Sequence, residues 1–118
     1  MKNQSFRRRV GFAIQGVRCA WRGEASFRQQ AFLALGVLAI LLWRQPEVIW
    51  WALLLMNCGL VLAAELFNTA LENALDHLNP DRHPAIEVAK DCAAGAVLVL
   101  SLNSLCVFIV FLLETWPT

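Results

Sequence analysis

From Val48 to Ala64 the chain carries no charge, and the helical pattern then continues without a break through Glu65, Asn68, Glu72 and Asp76. No other feature constrains the fold as much. An apolar run of this kind reads as a membrane-spanning helix. A carboxylate inside or beside a bilayer costs about 2.5–3.5 kcal/mol even on a lenient insertion scale, so such residues face a protein interior, bind an ion or move a proton. Good helix formers continue to about Leu78, where Asn79-Pro80 ends the helix. About 30 residues rise roughly 45 Å, more than a hydrocarbon core requires, so the helix projects beyond it into the cytoplasm.

Two further apolar blocks flank this one. Ala31 to Trp43 is short for a span and becomes adequate when it includes Phe27 and tilts, with Arg28 snorkelling to the interface. Trp43 and Trp50-Trp51 suit the far interface. Arg44-Gln45-Pro46-Glu47 between them is a tight turn, with Pro46 expected to start the next helix. Cys92 to Leu113 carries no charge and is the clearest span. Pro84 fits the first turn of that helix, and Ala93-Ala94-Gly95-Ala96 permits close helix approach. The expected spans are therefore about 27–43, 48–78 and 86–113. A composition of 58% hydrophobic residues agrees with them.

Seven of the ten basic residues lie in the first 28 positions: Lys2, Arg7, Arg8, Arg9, Arg18, Arg22 and Arg28. Juxtamembrane Lys and Arg stay on the cytoplasmic side. This end and the 79–90 loop are thus expected to be cytoplasmic. Within residues 5–22, Phe6, Val10, Ala13, Val17 and Trp21 recur at helical spacing among the arginines, as in an amphipathic helix lying on the membrane surface. Nothing later in the chain supports nucleic-acid binding. The basic N-terminus lacks the apolar core of a cleavable signal. Cys19, Cys58, Cys92 and Cys106 form no CxxC pair and read as packing residues. The fold class is an all-α membrane protein in one domain, 1–118: a surface helix and three spans.

On a helix, Glu65, Asn68, Glu72 and Asp76 fall at about 0°, 300°, 340° and 20°, one narrow polar stripe. Carboxylates in a line repel unless cations or hydrogen bonds compensate. At the boundary of membrane and cytoplasm such a stripe can hold Mg²⁺ with a polyphosphate while a carboxylate takes a proton from a lipid hydroxyl. Lys90, at the cytoplasmic start of the third span, is a natural phosphate partner. Asp76 alone, Glu24 and His83 also fit ordinary solvated positions, and Lys90-Asp91 fits an interfacial lysine beside a helix-start acid. No glycine-rich phosphate loop is present, so a nucleotide site would be non-standard.

Glu65-Leu66-Phe67-Asn68-Thr69-Ala70-Leu71-Glu72, then Asp76, then Ala89-Lys90-Asp91-Cys92-Ala93-Ala94-Gly95-Ala96-Val97 resemble the signature of the small bacterial diacylglycerol kinases, a family that also includes undecaprenol kinases. The resemblance covers nearly the whole chain and extends to Trp21 and Glu24-Ala25-Ser26-Phe27-Arg28-Gln29. It implies a homotrimeric inner-membrane kinase with composite active sites, moving the ATP γ-phosphate to a lipid hydroxyl. By position, Glu65 matches the general base, and Glu24 and Glu72 the metal ligands. Lys90, Asp91, Asp81, Arg82 and His83 match nucleotide contacts, with Asn68 and Asp76 polar residues of the same site. Arg18, Trp21, Ser26, Phe27, Arg28, Gln29, Gln30 and Ala94 match the lipid-lining region.

The chain departs from that pattern at three positions. Phe12 stands at the nucleotide where a Tyr is expected, Ser5 where a basic residue is expected, and Gln30 where diacylglycerol kinases carry Glu. The 79–84 loop and Ala93-Ala94-Gly95 are closer to the undecaprenol branch, and 21–29 to the diacylglycerol branch. The leading expectation is diacylglycerol phosphorylation to phosphatidic acid with ATP and Mg²⁺. Undecaprenol phosphorylation is the alternative. A non-catalytic membrane protein or ion-path subunit is the reading from another class.

Overall fold

Ser5 starts the first helix: its hydroxyl accepts from the Arg8 backbone N–H at 3.3 Å, satisfying one of the open amides of a first helical turn. The serine that replaces an expected basic residue therefore has a local role. In the computed structural model, which describes residues 4–81 and 83–116, four helices follow one another: α1 (Phe6–Gly23), α2 (Ala25–Arg44), α3 (Val48–Leu78) and α4 (Pro84–Thr115). The described residues are all-α, and α2, α3 and α4 are long and apolar enough to cross a membrane.

The links show why the helices end where they do. Glu24, with an extended backbone (φ −122°, ψ 109°), closes α1 and opens α2. Its side chain makes no capping hydrogen bond. The Arg28 guanidinium donates to the carbonyls of Trp21 at 2.6 Å and Arg22 at 3.3 Å, satisfying the last turn of α1. Arg28 thus turns back onto α1. α2 closes on Gln45, a non-glycine residue in the left-handed region (φ 47°), whose N–H bonds to the Leu41 carbonyl.

Pro46 is not the helix starter the sequence suggested. α3 begins at Val48 with Glu47 as its cap, and Trp50 N–H reaches the Glu47 carbonyl at 3.0 Å. The left-handed Gln45 makes the turn, and Pro46 lies between it and the Glu47 cap, outside both helices. At the other end of α3, Pro84 does open α4, and His83 Nδ1 accepts from Ala85 N–H at 3.1 Å. That cap lengthens α4 by two residues beyond the expected start at 86.

α3 is the central helix, packed on α4 and α2, while α1 rests on α2 and α3. Leu54, Asn57, Val61, Glu65 and Thr69 are its buried residues, at the three- and four-residue spacing of one helical face. Met56, Leu60 and Phe67 on other faces are exposed, as lipid or a neighbouring protein surface would allow. The apolar residues Val10, Ile14, Val17 and Trp21 of α1 are exposed too, and only Ala20 of that helix is buried. An added Cβ at Gly95 would meet nothing within 4 Å, so the small-residue run of α4 makes no close approach there within one chain.

The end of the bundle remote from α1 holds the apolar core. Leu41, Leu54 and Phe111 are sealed there, with Trp50, Trp51 and Phe108 around them. Trp50 meets Phe111 edge to face at 5.6 Å. Arg44 lies over the rings of Trp43, Phe111 and Trp116. Its guanidinium donates to the Thr115 carbonyl and hydroxyl, closing the C-terminus of α4 with a cation.

Candidate active site

The site is built where α3 leaves its apolar stretch. Glu65 sits on the face that α3 turns inward, so its side chain cannot escape to solvent, and it is only 4% exposed. Thr69, one turn on, donates its hydroxyl back to the Glu65 carbonyl at 2.9 Å, a back-bond that keeps the threonine's polar atom satisfied while buried. Glu24 and Glu72 both lie within electrostatic reach of Glu65. The link between α1 and α2 therefore delivers one carboxylate, and α3 supplies the other two. The sequence placed Glu65 and Glu72 on one stripe but gave no geometric reason to bring Glu24 beside them.

Asn68 joins this group. Its Nδ2 donates to Glu72 Oε1 at 3.4 Å, while its Oδ1 is buried and has no hydrogen-bond partner. A buried carbonyl oxygen without a donor is costly unless an ion or ligand supplies one. Among the described residues, no three His, Cys, Asp or Glu side chains gather closely enough to enclose a metal ion. Mg²⁺ needs only one or two protein carboxylates and completes its shell with water and substrate phosphates. Glu24 and Glu72 are donors of the right hardness, and Asn68 lies against Glu72.

Further along α3 a second group forms around the turn into α4. Asp76, Asp81, His83, Lys90 and Asp91 line one cavity of about 380 Å³. Five of the residues expected at a nucleotide are thus gathered by the fold. Arg82, between Asp81 and His83 in the loop, lies outside the described residues. Lys90 pairs with Asp76, which ties the start of α4 to the end of α3. An ammonium has three donors, so two remain for phosphate oxygens. His83 uses Nδ1 on the helix cap, leaving Nε2 to meet a ligand.

Other expected residues are not brought to this cavity within one chain. Phe12 is on α1 and half-exposed, and it does not line the cavity. Arg18 and Trp21 line an apolar groove along α1. Trp21 also meets Phe32 edge to face at 5.6 Å. Phe27 is buried, whereas Ser26, Gln29 and Ala94 are exposed. Gln30 lines a separate, mainly apolar groove of about 510 Å³ between α2 and α4. Its Nε2 reaches Ser101 Oγ at 3.5 Å.

One buried polar group escaped the sequence reading: Asn57 of α3, bonded to Asn103 and Ser104 of α4. Two amides inside charge-free apolar runs were the available signal, since polar side chains at that depth require partners.

Three helices long and apolar enough to cross a membrane, with carboxylates and a polar cavity of about 380 Å³ at one end, mark an integral-membrane protein. Residues 11–112 match the sequence model of the prokaryotic diacylglycerol kinase family. The diacylglycerol kinase of Helicobacter pylori (strain J99) is 34% identical over 88 residues, covering 75% of this chain and 69% of that one. The diacylglycerol kinase of Escherichia coli (strain K12) is 33% identical over 90 residues, 76% and 74% of the two chains. That of Pseudomonas aeruginosa is 33% identical over 90 residues, 76% and 73%. The chain belongs to the prokaryotic diacylglycerol kinase family.

Proposed function

We propose that this chain phosphorylates diacylglycerol to phosphatidic acid, with ATP as donor, at the cytoplasmic face of a bacterial inner membrane. The observation that carries the reading is Glu65: a buried carboxylate at the point where α3 turns from apolar to polar, with Glu24 and Glu72 within electrostatic reach. The names of the relatives favour diacylglycerol over undecaprenol. An ion-path role leaves the Lys90 cavity without a use.

In this reading the lipid lies in the bilayer with its free hydroxyl at Glu65. The hydroxyl oxygen attacks the γ-phosphorus, the bond from that phosphorus to the β–γ bridging oxygen breaks, and ADP departs. Glu65 takes the hydroxyl proton as the new bond forms. Its burial keeps water from competing for the phosphoryl group. Lys90 holds the phosphate chain, and Asp81, His83 and Asp91 bound the nucleotide end. Bound Mg²⁺, held by Glu24 and Glu72, would neutralise charge on the transferring phosphate. Phosphoryl transfer asks little covalent chemistry of the protein, so placement and charge suffice.

Phe12 and the lipid-lining residues of α1 stand apart from the nucleotide cavity within one chain, and apolar side chains remain exposed along α3. A homotrimer with shared sites accounts for both, because a neighbouring chain would bring its α1 to this site. The test is radiolabelled phosphate transfer from ATP by purified protein in mixed micelles, with diacylglycerol or undecaprenol as acceptor. Efficient labelling of diacylglycerol is the expected result. Preferential labelling of undecaprenol would move the chain to the other branch, and labelling of neither would overturn the kinase reading.

A further inference from the structure

A polar junction crosses the apolar middle of the bundle. Asn57 is 8% exposed. Its Nδ2 donates to the Leu53 carbonyl at 2.8 Å, and its Oδ1 accepts from Asn103 Nδ2 at 3.0 Å and Ser104 Oγ at 3.2 Å. One turn toward the site, Ser101 accepts the Gln30 amide from α2 at 3.5 Å. A short ridge of α4, residues 101–104, thus bonds to both other spans. The Asp76–Lys90 and Arg44–Thr115 links lie at the two ends of the bundle.

We propose that this junction sets the register of the spanning helices and so positions the active site, with Asn57, Asn103 and Ser104 as positioning residues. Leucine and valine surfaces in lipid pack acceptably at more than one offset, because no water is expelled to favour one of them. The buried amide of Asn57, bonded across to Asn103 and Ser104, removes that freedom. With no water in the hydrocarbon, a displaced helix keeps the Asn57 Nδ2 bond to Leu53 but separates Asn57 Oδ1 from Asn103 Nδ2, so the aligned register satisfies both of these atoms. A single polar pair in an apolar seam fixes coiled-coil register in the same way.

Register matters here because the site is assembled from three helices. Asn57 lies two turns, about 12 Å, before Glu65 on the same buried face of α3. α4 carries Lys90 and Asp91, and α2 follows directly on Glu24. A slip of one turn, about 5.4 Å, would take the base out of line with the phosphate-binding lysine.

The inference rests on the lipid-kinase reading for its kinetic test, so the experiment adds a readout that needs no activity. Asn57→Leu, Asn103→Leu, the double variant and Ser104→Ala are purified and checked for helicity and thermal unfolding. Spin labels at the exposed positions Ala74 and Val88, in a background without native cysteines and diluted into unlabelled protein, report the spacing of α3 and α4 beside the site. The expected result is a broadened or shifted distance in Asn57→Leu, with kcat lower by roughly ten- to a hundredfold and KM for ATP little changed. The double variant is expected to be no worse than either single, because both break the same bond. Ser104→Ala, a minimal packing change, is expected to show a smaller effect of the same kind and serves if Asn57→Leu fails to fold. An unchanged distance with normal kcat, or strictly additive losses, would overturn the proposal. A wild-type protein that phosphorylates no lipid would overturn the kinase reading and leave the distance test standing.

Discussion

The two ends of the bundle are built on opposite rules. At the far end Leu41, Leu54 and Phe111 are sealed among aromatic rings, and Arg44 closes the last carbonyls of α4. At the near end the buried residues of α3 are Glu65 and Thr69, Asn68 Oδ1 lacks a partner, and Glu24 makes no cap. The first arrangement maximises packing. The second leaves a buried polar atom unpartnered, at a cost to stability. Stability and chemistry are thus separated along one helix, α3, by a few turns.

That contrast can be broken or sharpened by mutation. The largest stability effect belongs to the far end. Phe111→Ala is expected to destabilise by about 3–5 kcal/mol, the usual range for emptying a buried aromatic site. Thermal unfolding in detergent reads this, and KM values of the surviving folded protein should be unchanged. At the near end, Glu72→Gln should lower kcat/KM by about 10²–10³ with little change in unfolding, as expected for lost electrostatic stabilisation. Partial recovery at raised Mg²⁺ would tie Glu72 to the metal, and none would remove it from that role. Lys90→Met should weaken ATP binding by about 1.5–3 kcal/mol, the contribution of a charged hydrogen bond, leaving the lipid KM alone. The smallest effect is Arg44→Met: a stability loss of about 1 kcal/mol from the missing helix-end cation, and no kinetic change. A kinetic defect in Phe111→Ala or Arg44→Met would show that the ends are coupled.

Much of this was readable in the chain. The charge-free runs set the spans, and α3 ends at Leu78 as Asn79-Pro80 dictates. Glu65, Glu72 and Asp76 advertised themselves because a helix repeats every 3.6 residues and apolar neighbours make a carboxylate conspicuous. Lys90 was legible as a phosphate partner only beside an equally open reading as an interfacial lysine, and the residues gathered around it came from the family resemblance. Other features depend on contacts between helices, which periodicity does not encode. Glu24 looks like a surface acid until the break between α1 and α2 places it within electrostatic reach of Glu65. Arg28 looks like a snorkelling cation, yet it closes α1. Pro46 looks like a helix starter, but a left-handed Gln45 makes the turn. Asn57 and Asn103 matter only as a pair.

The measurement closest to the central claim is phosphate transfer from ATP to diacylglycerol by the wild-type protein and by Glu65→Gln, each with its thermal unfolding recorded. If Glu65 is the base, turnover falls by about 10²–10⁴, the usual contribution of a positioned proton acceptor, while unfolding stays close to that of the wild type. Near-normal turnover by a folded Glu65→Gln protein would contradict the account.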